Sequence, residues 1–277
     1  MKKSVTIWIL EGGVDGSLSI VEGAKKIRDA GFDAVELSFN KKGELSFDTS
    51  YTTLQTLHDK FERIGIEISS ISTLMLNEYS ITAKNQDERE YALKIVNRML
   101  EIANLMRIPT VQISPGKVDF DNNYKAVYER SLEECGKLAN RAEELGVTLV
   151  IENDWNKFLL SPLEFRNFLD QIDSKYLAAC LDTRNTYLNG YPHHWIEVLE
   201  KKIKKIHLTD LRKIRNVFTE FCDIGDGDID LCGAVKELKK IHYDGYATIE
   251  VFHRKNDITE NRLQELSGRL DRLLRMV

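Results

Sequence analysis

Four ionisable residues interrupt apolar segments in the second half of the chain. They are Glu152 at the end of VTLVIE, Asp182 at the end of LAACLD, His207 within KKIHL and Glu250 within ATIEV. Burying such groups is costly unless they are paired or bind a metal ion. Three carboxylates and one imidazole suit a divalent cation of borderline to hard character. The four residues therefore predict one site for Mn, Mg, Co or Zn.

Each of these residues also has an ordinary structural explanation. A single glutamate at a strand end usually forms a salt bridge with a loop, and a single histidine in a strand is more often a hydrogen-bonded core residue. Four such residues on four consecutive predicted strands are harder to explain as independent structural features. The metal site is therefore the preferred hypothesis.

The segments that carry these residues belong to a series of short runs rich in β-branched residues. The runs span residues 5–9, 33–39, 66–72, 110–114, 147–152, 177–182, 204–208 and 247–251. Most of them are almost continuously apolar, which is typical of parallel strands covered by helices. The second half of the series ends in the four ionisable residues.

Segments with a helical spacing of apolar residues alternate with the predicted strands. They span 19–30, 54–64, 91–102, 122–145, 162–171, 194–203, 231–241 and 257–275. Ser19 and Glu22 have the spacing of a capping box at the start of the first helix. Four glycines that precede strands are predicted to end helices in the left-handed conformation, namely Gly31, Gly65, Gly146 and Gly245.

Eight alternating strands and helices fit either a closed (β/α)8 barrel or an open doubly wound sheet. A doubly wound dinucleotide binder should carry G-x-G-x-x-G after an early strand, but Gly12, Gly13 and Gly16 have a different spacing. We therefore predict an α/β fold, a single (β/α)8 TIM barrel domain over residues 1–277. The C-terminal strand ends of such a barrel form one active-site face, where the four ionisable residues can converge.

Composition and charge limit the partners of this chain. Its 277 residues include 39 Lys and Arg against 44 Asp and Glu, a formal net charge of -5, which argues against a nucleic-acid partner. No stretch is apolar and long enough to span a membrane, and the N-terminal apolar run is too short for a signal peptide. The four cysteines include no C-x-x-C pair. We predict a cytoplasmic protein with reduced thiols, Cys180 being a small core residue.

Several short motifs, in their order and spacing, resemble those of the xylose isomerase-like superfamily of sugar and sugar-phosphate isomerases and epimerases. The motifs are Glu36 on the second strand, I-E-N at 151–153, L-D-T-R-N at 181–185, H-L-T-D at 207–210, G-D-G-D-I-D at 225–230 and I-E at 249–250. The resemblance covers the whole chain and implies the xylose isomerase-like TIM barrel fold. It implies a metal bound by Glu152, Asp182, His207 and Glu250, with the two glutamates also transferring protons, as in the ketose 3-epimerases of the group.

The chemistry of such a site agrees with this resemblance. A metal ion that bridges two adjacent sugar oxygens acidifies the C–H between them and stabilises an enediolate. One carboxylate on each side of that carbon would epimerise a ketose or ketose phosphate, and a single base would give aldose–ketose isomerisation. An inosose dehydratase-type lyase is the alternative on the same scaffold. A non-catalytic sugar-binding barrel is less favoured, because it does not need two bases.

Asn185 departs from several relatives, which carry a histidine three residues after the aspartate of the sixth strand. An asparagine here also occurs in sugar-phosphate 3-epimerase relatives, so a sugar phosphate stays open as substrate. Apurinic endonucleases share the fold but use a histidine-rich trinuclear zinc cluster, and the second and third strands of this chain end without histidine. An endonuclease-like activity is therefore not favoured. Relatives are often dimers or tetramers, which leaves a homo-oligomer open.

Further residues near the strand ends are candidates for substrate binding. Trp155 follows the strand of Glu152 and is a candidate for an apolar pocket wall. Glu36 could reach a substrate hydroxyl or make a structural hydrogen bond. Asn185, three residues after Asp182, completes this group.

A basic segment follows His207 in the sequence. It contains Arg212, Lys213 and Arg215, and barrel enzymes often bind phosphate near the seventh and eighth strands. We predict that Arg212 or Lys213 contacts substrate, with a solvated basic loop as the alternative. The G-D-G-D-I-D stretch is predicted to be a turn and helix N-cap, because its aspartates would repel phosphate.

Overall fold

The computed structural model describes residues 1–214, 218–253 and 259–276. The strands are β1 (Lys2–Thr6), β2 (Ala34–Ser38), β3 (Glu67–Ser72), β4 (Thr110–Ile113), β5 (Thr148–Glu152), β6 (Leu177–Asp182), β7 (Ile203–Leu208), β8 (Asp210–Ile214), β9 (Phe218–Cys222) and β10 (Tyr246–Ile249). All except β8 and β9 close into one parallel barrel in the order β1-β10-β7-β6-β5-β4-β3-β2. The predicted (β/α)8 TIM barrel is confirmed.

Helices surround this barrel and cover its strands. They are α1 (Ile20–Asp29), α2 (Tyr51–Ile64), α3 (Met75–Glu78), α4 (Gln86–Leu105), α5 (Tyr124–Leu145), α6 (Pro162–Ile172), α7 (Thr183–Asn189), α8 (Pro192–Leu199), α9 (Leu231–Lys240) and α10 (Thr259–Arg275). The helices of eight or more residues bury an apolar face, as the helical spacing predicts; Leu54, Leu57 and Phe61 of α2 are examples. The predicted start of the last helix at 257–258 lies outside the described residues.

Strand register brings the polar strand ends to one level of the barrel. Asp182 on β6 lies opposite His207 on β7, and His207 lies opposite Thr248 on β10. Glu152 on β5 lies opposite Cys180 on β6. Cys180 is fully buried among small side chains, as predicted. Because neighbouring parallel strands are in register here, their C-terminal side chains share one rim.

The first strand differs from its predicted position. It was expected at residues 5–9, but β1 begins at Lys2 and ends at Thr6, and Ile7–Ile9 form a 3-10 turn. Ile7, Trp8 and Ile9 are all buried in this turn. An apolar run is buried in either conformation, so its composition does not separate strand from turn.

The helix-end predictions were right at three of the four glycines and wrong at Gly245. Gly65 and Gly146 end α2 and α5 in the left-handed conformation, at φ 68° and 66°. Gly245 does not end a helix, since α9 stops earlier with Ile241 as its cap. Instead, a Cβ at Gly245 would lie 2.5 Å from the Tyr243 hydroxyl, so close packing excludes a side chain there. Gly31 directly follows the cap residue of α1 and is left-handed at φ 88°, and its N–H donates to the Arg28 carbonyl at 2.8 Å, as in a glycine-ended helix.

The start of α1 is held by a distant side chain and not by the predicted capping box. Ser19 occupies the N-cap position, but its side chain makes no capping hydrogen bond. The backbone N–H of Ile20 donates to the Glu44 carboxylate at 2.6 Å. A carboxylate at a helix N-terminus satisfies a free N–H and favours the helix dipole, so it can replace the local cap.

The connections before and after β7 also differ from prediction. The helix expected over 194–203 ends at Leu199, and Glu200–Lys202 form a 3-10 turn before β7. The basic segment predicted as a loop forms the antiparallel hairpin of β8 and β9. Its Arg215 lies outside the described residues. None of the described helices has both the length and the apolar character that crossing a bilayer requires.

Candidate metal centre

Glu152, Asp182, His207 and Glu250 meet at the C-terminal rim of the barrel. Each offers one ligand atom, and these atoms lie within 4.8 Å of one another. Three of the residues lie on β5, β6 and β7, and Glu250 follows directly after β10. All four are buried. The structure thus brings together the four residues that the sequence singled out.

The Nδ1 atom of His207 shows what this cluster fits. It lies 2.7 Å from a carboxylate oxygen of Glu250 and 3.5 Å from one of Glu152. In the described part of the chain it nevertheless has no hydrogen-bond partner of acceptable geometry. Buried polar atoms that converge without bonding one another are typical of ligands around a shared ion. Three carboxylates and one imidazole therefore fit a divalent cation.

The opposite nitrogen of the same imidazole faces the barrel interior. His207 Nε2 lies 3.0 Å from Oε2 of Glu36. That oxygen also accepts from the Ser70 hydroxyl at 2.9 Å and lies 2.5 Å from the Lys205 ammonium. A carboxylate partner on one ring nitrogen orients the ring and leaves the other nitrogen free to bind a metal. Glu36 thus makes the structural hydrogen bonds that were one of its two predicted roles.

Burial and mutual charge set the proton affinities of the cluster when no metal is bound. Burial raises the pKa of Glu152 to about 8. Burial also raises the pKa of Glu250, but the effects of His207 and Arg184 outweigh it. The pKa of Glu250 therefore falls below its usual range. Burial lowers the pKa of His207, but neighbouring carboxylates including Glu36 raise this pKa well above its usual value. The metal-free cluster therefore holds protons that a bound cation would displace.

The two glutamates are held by different partners. Glu152 Oε2 accepts from the amide of Gln112 at 2.6 Å, and its Oε1 accepts from the amide of Asn185 at 3.3 Å. Glu250 Oε1 instead accepts from the Arg184 guanidinium at 3.1 Å. These bonds fix the direction of each carboxylate towards the centre of the cluster.

A cavity of about 360 Å³ opens over the cluster, within the range of small-molecule sites. Glu152, Glu250 and Asn185 lie at its base. Aromatic rings form part of its wall, with Trp155 5.3 Å from Phe221 between ring centroids. Trp155, half exposed, thus lies where the sequence placed a pocket wall.

Several buried polar atoms of cavity-lining residues have no hydrogen-bond partner among the described residues. They are Trp8 Nε1, Ser72 Oγ, Arg184 Nε and Asn185 Oδ1. Buried polar groups are normally satisfied, so a set of free donors and acceptors around one cavity is typical of a site for a polar ligand. This set matches a small molecule rich in hydroxyl groups.

Arg184 is a site residue that the sequence analysis missed. Its guanidinium lies 4.6 Å from the Phe221 ring centroid and 5.7 Å from that of Trp155, in addition to the ion pair with Glu250. The available signal was its position in the L-D-T-R-N motif, two residues after Asp182. Arg184 lies in the first turn of α7, and from there its side chain reaches Glu250. A local sequence pattern does not reveal this contact.

The basic residues after β7 lie apart from this cavity. Arg212 donates to the backbone carbonyl of Asp226 at 2.6 Å, and the Lys213 ammonium lies 4.8 Å from the Tyr187 ring centroid. Neither is among the described residues that line the cavity. Their predicted substrate contact therefore has no support from the cavity lining.

The G-D-G-D-I-D stretch is the predicted turn and helix cap. The Asp210 carboxylate accepts from the backbone N–H groups of Gly225 and Gly227, at 2.9 and 3.1 Å. The Asp230 side chain caps α9 by accepting from Gly233 N–H at 2.8 Å. These three bonds organise the connection to α9.

Known proteins with similar sequences come from one fold family. The family model described as "Xylose isomerase-like TIM barrel" matches residues 24–273. A protein of Escherichia coli (strain K12) named "Putative L-ribulose-5-phosphate 3-epimerase SgbU" is 24% identical over 254 residues, covering 89% of this chain and 88% of that protein. An uncharacterised protein of Methanocaldococcus jannaschii is 23% identical over 261 residues, covering 90% and 86%.

Solved structures with the same fold include several sugar epimerases. A D-psicose 3-epimerase in the presence of D-fructose has a TM-score of 0.81 at 16% identity, covering 99% of both chains. An L-ribulose 3-epimerase has a TM-score of 0.82 at 16% identity, covering 99% of this chain and 95% of that one. At 16% identity these two likenesses show the shared fold. Because the family model matches nearly the whole chain, this protein belongs to the xylose isomerase-like TIM barrel family.

Proposed function

We propose that this protein is a divalent-metal-dependent epimerase of a ketose or ketose phosphate, of the 3-epimerase type. One observation carries the proposal: Glu152 and Glu250 approach His207 Nδ1 as separate carboxylates, and both line the same cavity. The 3-epimerase names of the relatives support this choice of reaction. A single barrel domain over residues 1–277 and a cytoplasmic location, consistent with four free cysteines, complete the proposal.

The cluster at the barrel rim would hold the metal ion. Its ligands would be Glu152, Asp182, His207 and Glu250, with Mn, Mg, Co or Zn as the ion. When bound, the ion would supply Lewis acidity that acidifies the C–H next to the ketose carbonyl.

The two glutamates would move the proton. A carboxylate on each side of a carbon can remove a proton from one face and return it to the other, which inverts that centre. Gln112 holds Glu152, and Arg184 holds Glu250, so each base is pre-oriented. The aromatic wall around Trp155 limits the access of water to the reacting carbon.

The unpartnered polar atoms in the cavity would bind the rest of the sugar. Trp8 Nε1 can only donate a hydrogen bond, Asn185 Oδ1 can only accept one, and Ser72 Oγ can do both. Hydroxyl groups donate and accept, so one sugar can satisfy all three. A polyhydroxylated substrate is the class that this lining supports.

Deuterium exchange tests the proposed reaction. The protein is stripped of metal, reloaded with Mn or Co, and incubated with a panel of ketoses and ketose phosphates in D2O. We expect deuterium at C3. Label at C1 or C2 would instead indicate isomerisation, and loss of water would indicate the lyase. Metal-loaded protein that exchanges no substrate proton across the panel would refute the proposal.

A further inference from the structure

A lysine is buried directly beneath the candidate metal centre. Lys205 lies on β7 two residues before His207, and side chains two apart on a strand point to the same face. Its side chain is only 4% exposed. Burying an ammonium group is costly unless it is paired and hydrogen-bonded, so its partners indicate why the barrel tolerates it.

The ammonium of Lys205 contacts two groups, and each of them reaches a candidate metal ligand. On one side it lies 2.5 Å from Glu36 Oε2, and this oxygen lies 3.0 Å from His207 Nε2. On the other side it donates to the Gln112 side-chain carbonyl, and the Gln112 amide donates to Glu152 Oε2 at 2.6 Å. One lysine therefore connects to both Glu152 and His207 through two separate arms.

Lys205 also decides the direction of these hydrogen bonds. An ammonium group can only donate, so it binds the carbonyl oxygen of Gln112 and turns the amide NH2 towards Glu152. The same positive charge favours the ionised form of Glu36, which then accepts from His207 Nε2. With Nε2 occupied, His207 offers Nδ1 to the cluster.

We propose that Lys205 is a positioning residue for the metal centre, which orients Glu152 through Gln112 and His207 through Glu36. The inference rests on the proposed function, because it takes these residues to be part of a divalent-metal site. Lys205 is not among the described residues that line the cavity. It therefore acts through its neighbours and does not contact the substrate.

A simpler role for Lys205 would be to neutralise the buried charge of Glu36. The two roles differ in a double variant, E36Q/K205M, which removes both charges and leaves none uncompensated. Because Glu36 itself orients His207, E36Q alone is titrated as the reference for this variant. If charge balance were the only role, adding K205M to E36Q would remove the unpaired ammonium and keep or raise the metal affinity. If Lys205 positions Gln112, adding K205M to E36Q lowers the affinity further.

Cobalt binding tests this inference without relying on catalysis. Metal-free wild type, K205M, Q112L, E36Q and E36Q/K205M are titrated with Co(II), and affinity is measured together with the visible absorption spectrum of the bound ion. T248V is the matched control, because Thr248 is fully buried on β10 and its hydroxyl has no partner among the described residues. Thermal unfolding establishes that each variant is folded.

We expect Co(II) affinity to fall about 10- to 100-fold in K205M, with an altered spectrum, since loss of a partner that orients a ligand typically has this effect. Affinity in Q112L should fall less, because only one arm is cut, and E36Q/K205M should bind Co(II) more weakly than E36Q. T248V should match the wild type. If K205M does not fold, the comparison of E36Q/K205M with E36Q still decides the question.

Two results would overturn the inference while leaving the proposed function intact. One is wild-type affinity and spectrum in folded K205M, and the other is an affinity in E36Q/K205M equal to or above that of E36Q. Wild-type protein that binds no Co(II), Mn or Zn would instead remove the metal centre itself, and this inference with it. The three results are distinguishable from one another.

Discussion

Glu152 and Glu250 face the same histidine from the same cavity, but they are held by different chemistry. Their exposures are nearly equal, 9% and 8%. Glu152 accepts hydrogen bonds from two neutral amides, whereas Glu250 is paired with a guanidinium. In the metal-free cluster burial raises the pKa of Glu152 to about 8, and the pKa of Glu250 falls below its usual range.

The difference shows that burial alone does not set the proton affinity of a carboxyl group here. Desolvation raises the pKa of both residues, but at Glu250 the neighbouring His207, and after it Arg184, favour the anion and reverse the effect. Pairs of carboxyl groups whose surroundings separate their pKa values commonly divide acid and base roles. Variants of Glu152, Glu250 and Arg184 each change one side of this pair.

The largest effect is expected from replacing either carboxylate. We expect Glu152→Gln and Glu250→Gln each to lower turnover by about 10³-fold, because each removes one proton-transfer group and one metal ligand. Deuterium incorporation from each substrate epimer is measured separately. Each variant should keep residual deuterium exchange with one of the two epimers, and that epimer should differ between the two variants. Wild-type turnover in either variant would remove that residue from the mechanism.

Arg184 is the partner that distinguishes Glu250 from Glu152. Replacing it by methionine should lower kcat by about 100-fold, because a misdirected base loses its alignment with the substrate. Arg184→Lys keeps the charge and should recover part of the loss. The measurement is kcat and KM for both variants. Unchanged kcat in folded Arg184→Met would show that the ion pair does not orient Glu250.

Metal affinity should depend on pH because Glu152, unlike Glu250, holds a proton in the metal-free cluster. In the metal-free protein the pKa values of Glu152 and His207 are both raised, so binding must displace their protons. Affinity for Mn or Co should therefore rise with pH, by up to about tenfold per unit for each proton displaced, and the contribution of Glu152 should level off above about pH 8.

Calorimetry in buffers of different ionisation enthalpy counts the protons released in this reaction. Glu152→Gln should release fewer protons than the wild type. Glu250→Gln should not, because Glu250 is already ionised in the metal-free protein. Affinity that does not change between pH 6 and pH 8 would contradict the assigned proton states.

The smallest effect is expected at the basic residues outside the cavity. Arg212→Ala and Lys213→Ala should each change kcat/KM by less than about twofold, because their cationic groups contact Asp226 and Tyr187. Kinetics with a ketose and with its phosphate are compared. A large loss of kcat/KM with the ketose phosphate alone would indicate that these residues contact the substrate.

The candidate ligands could be found from the sequence because their signal is local. An ionisable residue at the end of an apolar strand is conspicuous by itself, and barrel topology brings neighbouring strand ends together. The helix ends at Gly65 and Gly146 were predictable for the same reason, since the left-handed conformation favours glycine. At Ile7–Ile9 the local signal was ambiguous, and the strand prediction was wrong.

The groups that orient these ligands gave no comparable signal. Lys204 and Lys205 are adjacent and chemically identical, but Lys204 is exposed and Lys205 is buried. The pleat and register of β7 decide which one faces the barrel interior. Arg184 likewise reaches Glu250 because α7 folds back over the rim. Such contacts depend on strand register and chain reversal, which residue types do not encode.

The sequence by itself determined the alternation of strands and helices and the four residues that end the later strands. Both follow from the cost of burying polar groups and from short-range periodicity. Only the tertiary structure decided which partners hold Glu152 and which hold Glu250. Those partners join residues far apart in the chain, such as Glu36 and His207, which are 171 positions apart. Closure of the barrel is what brings them within hydrogen-bond distance.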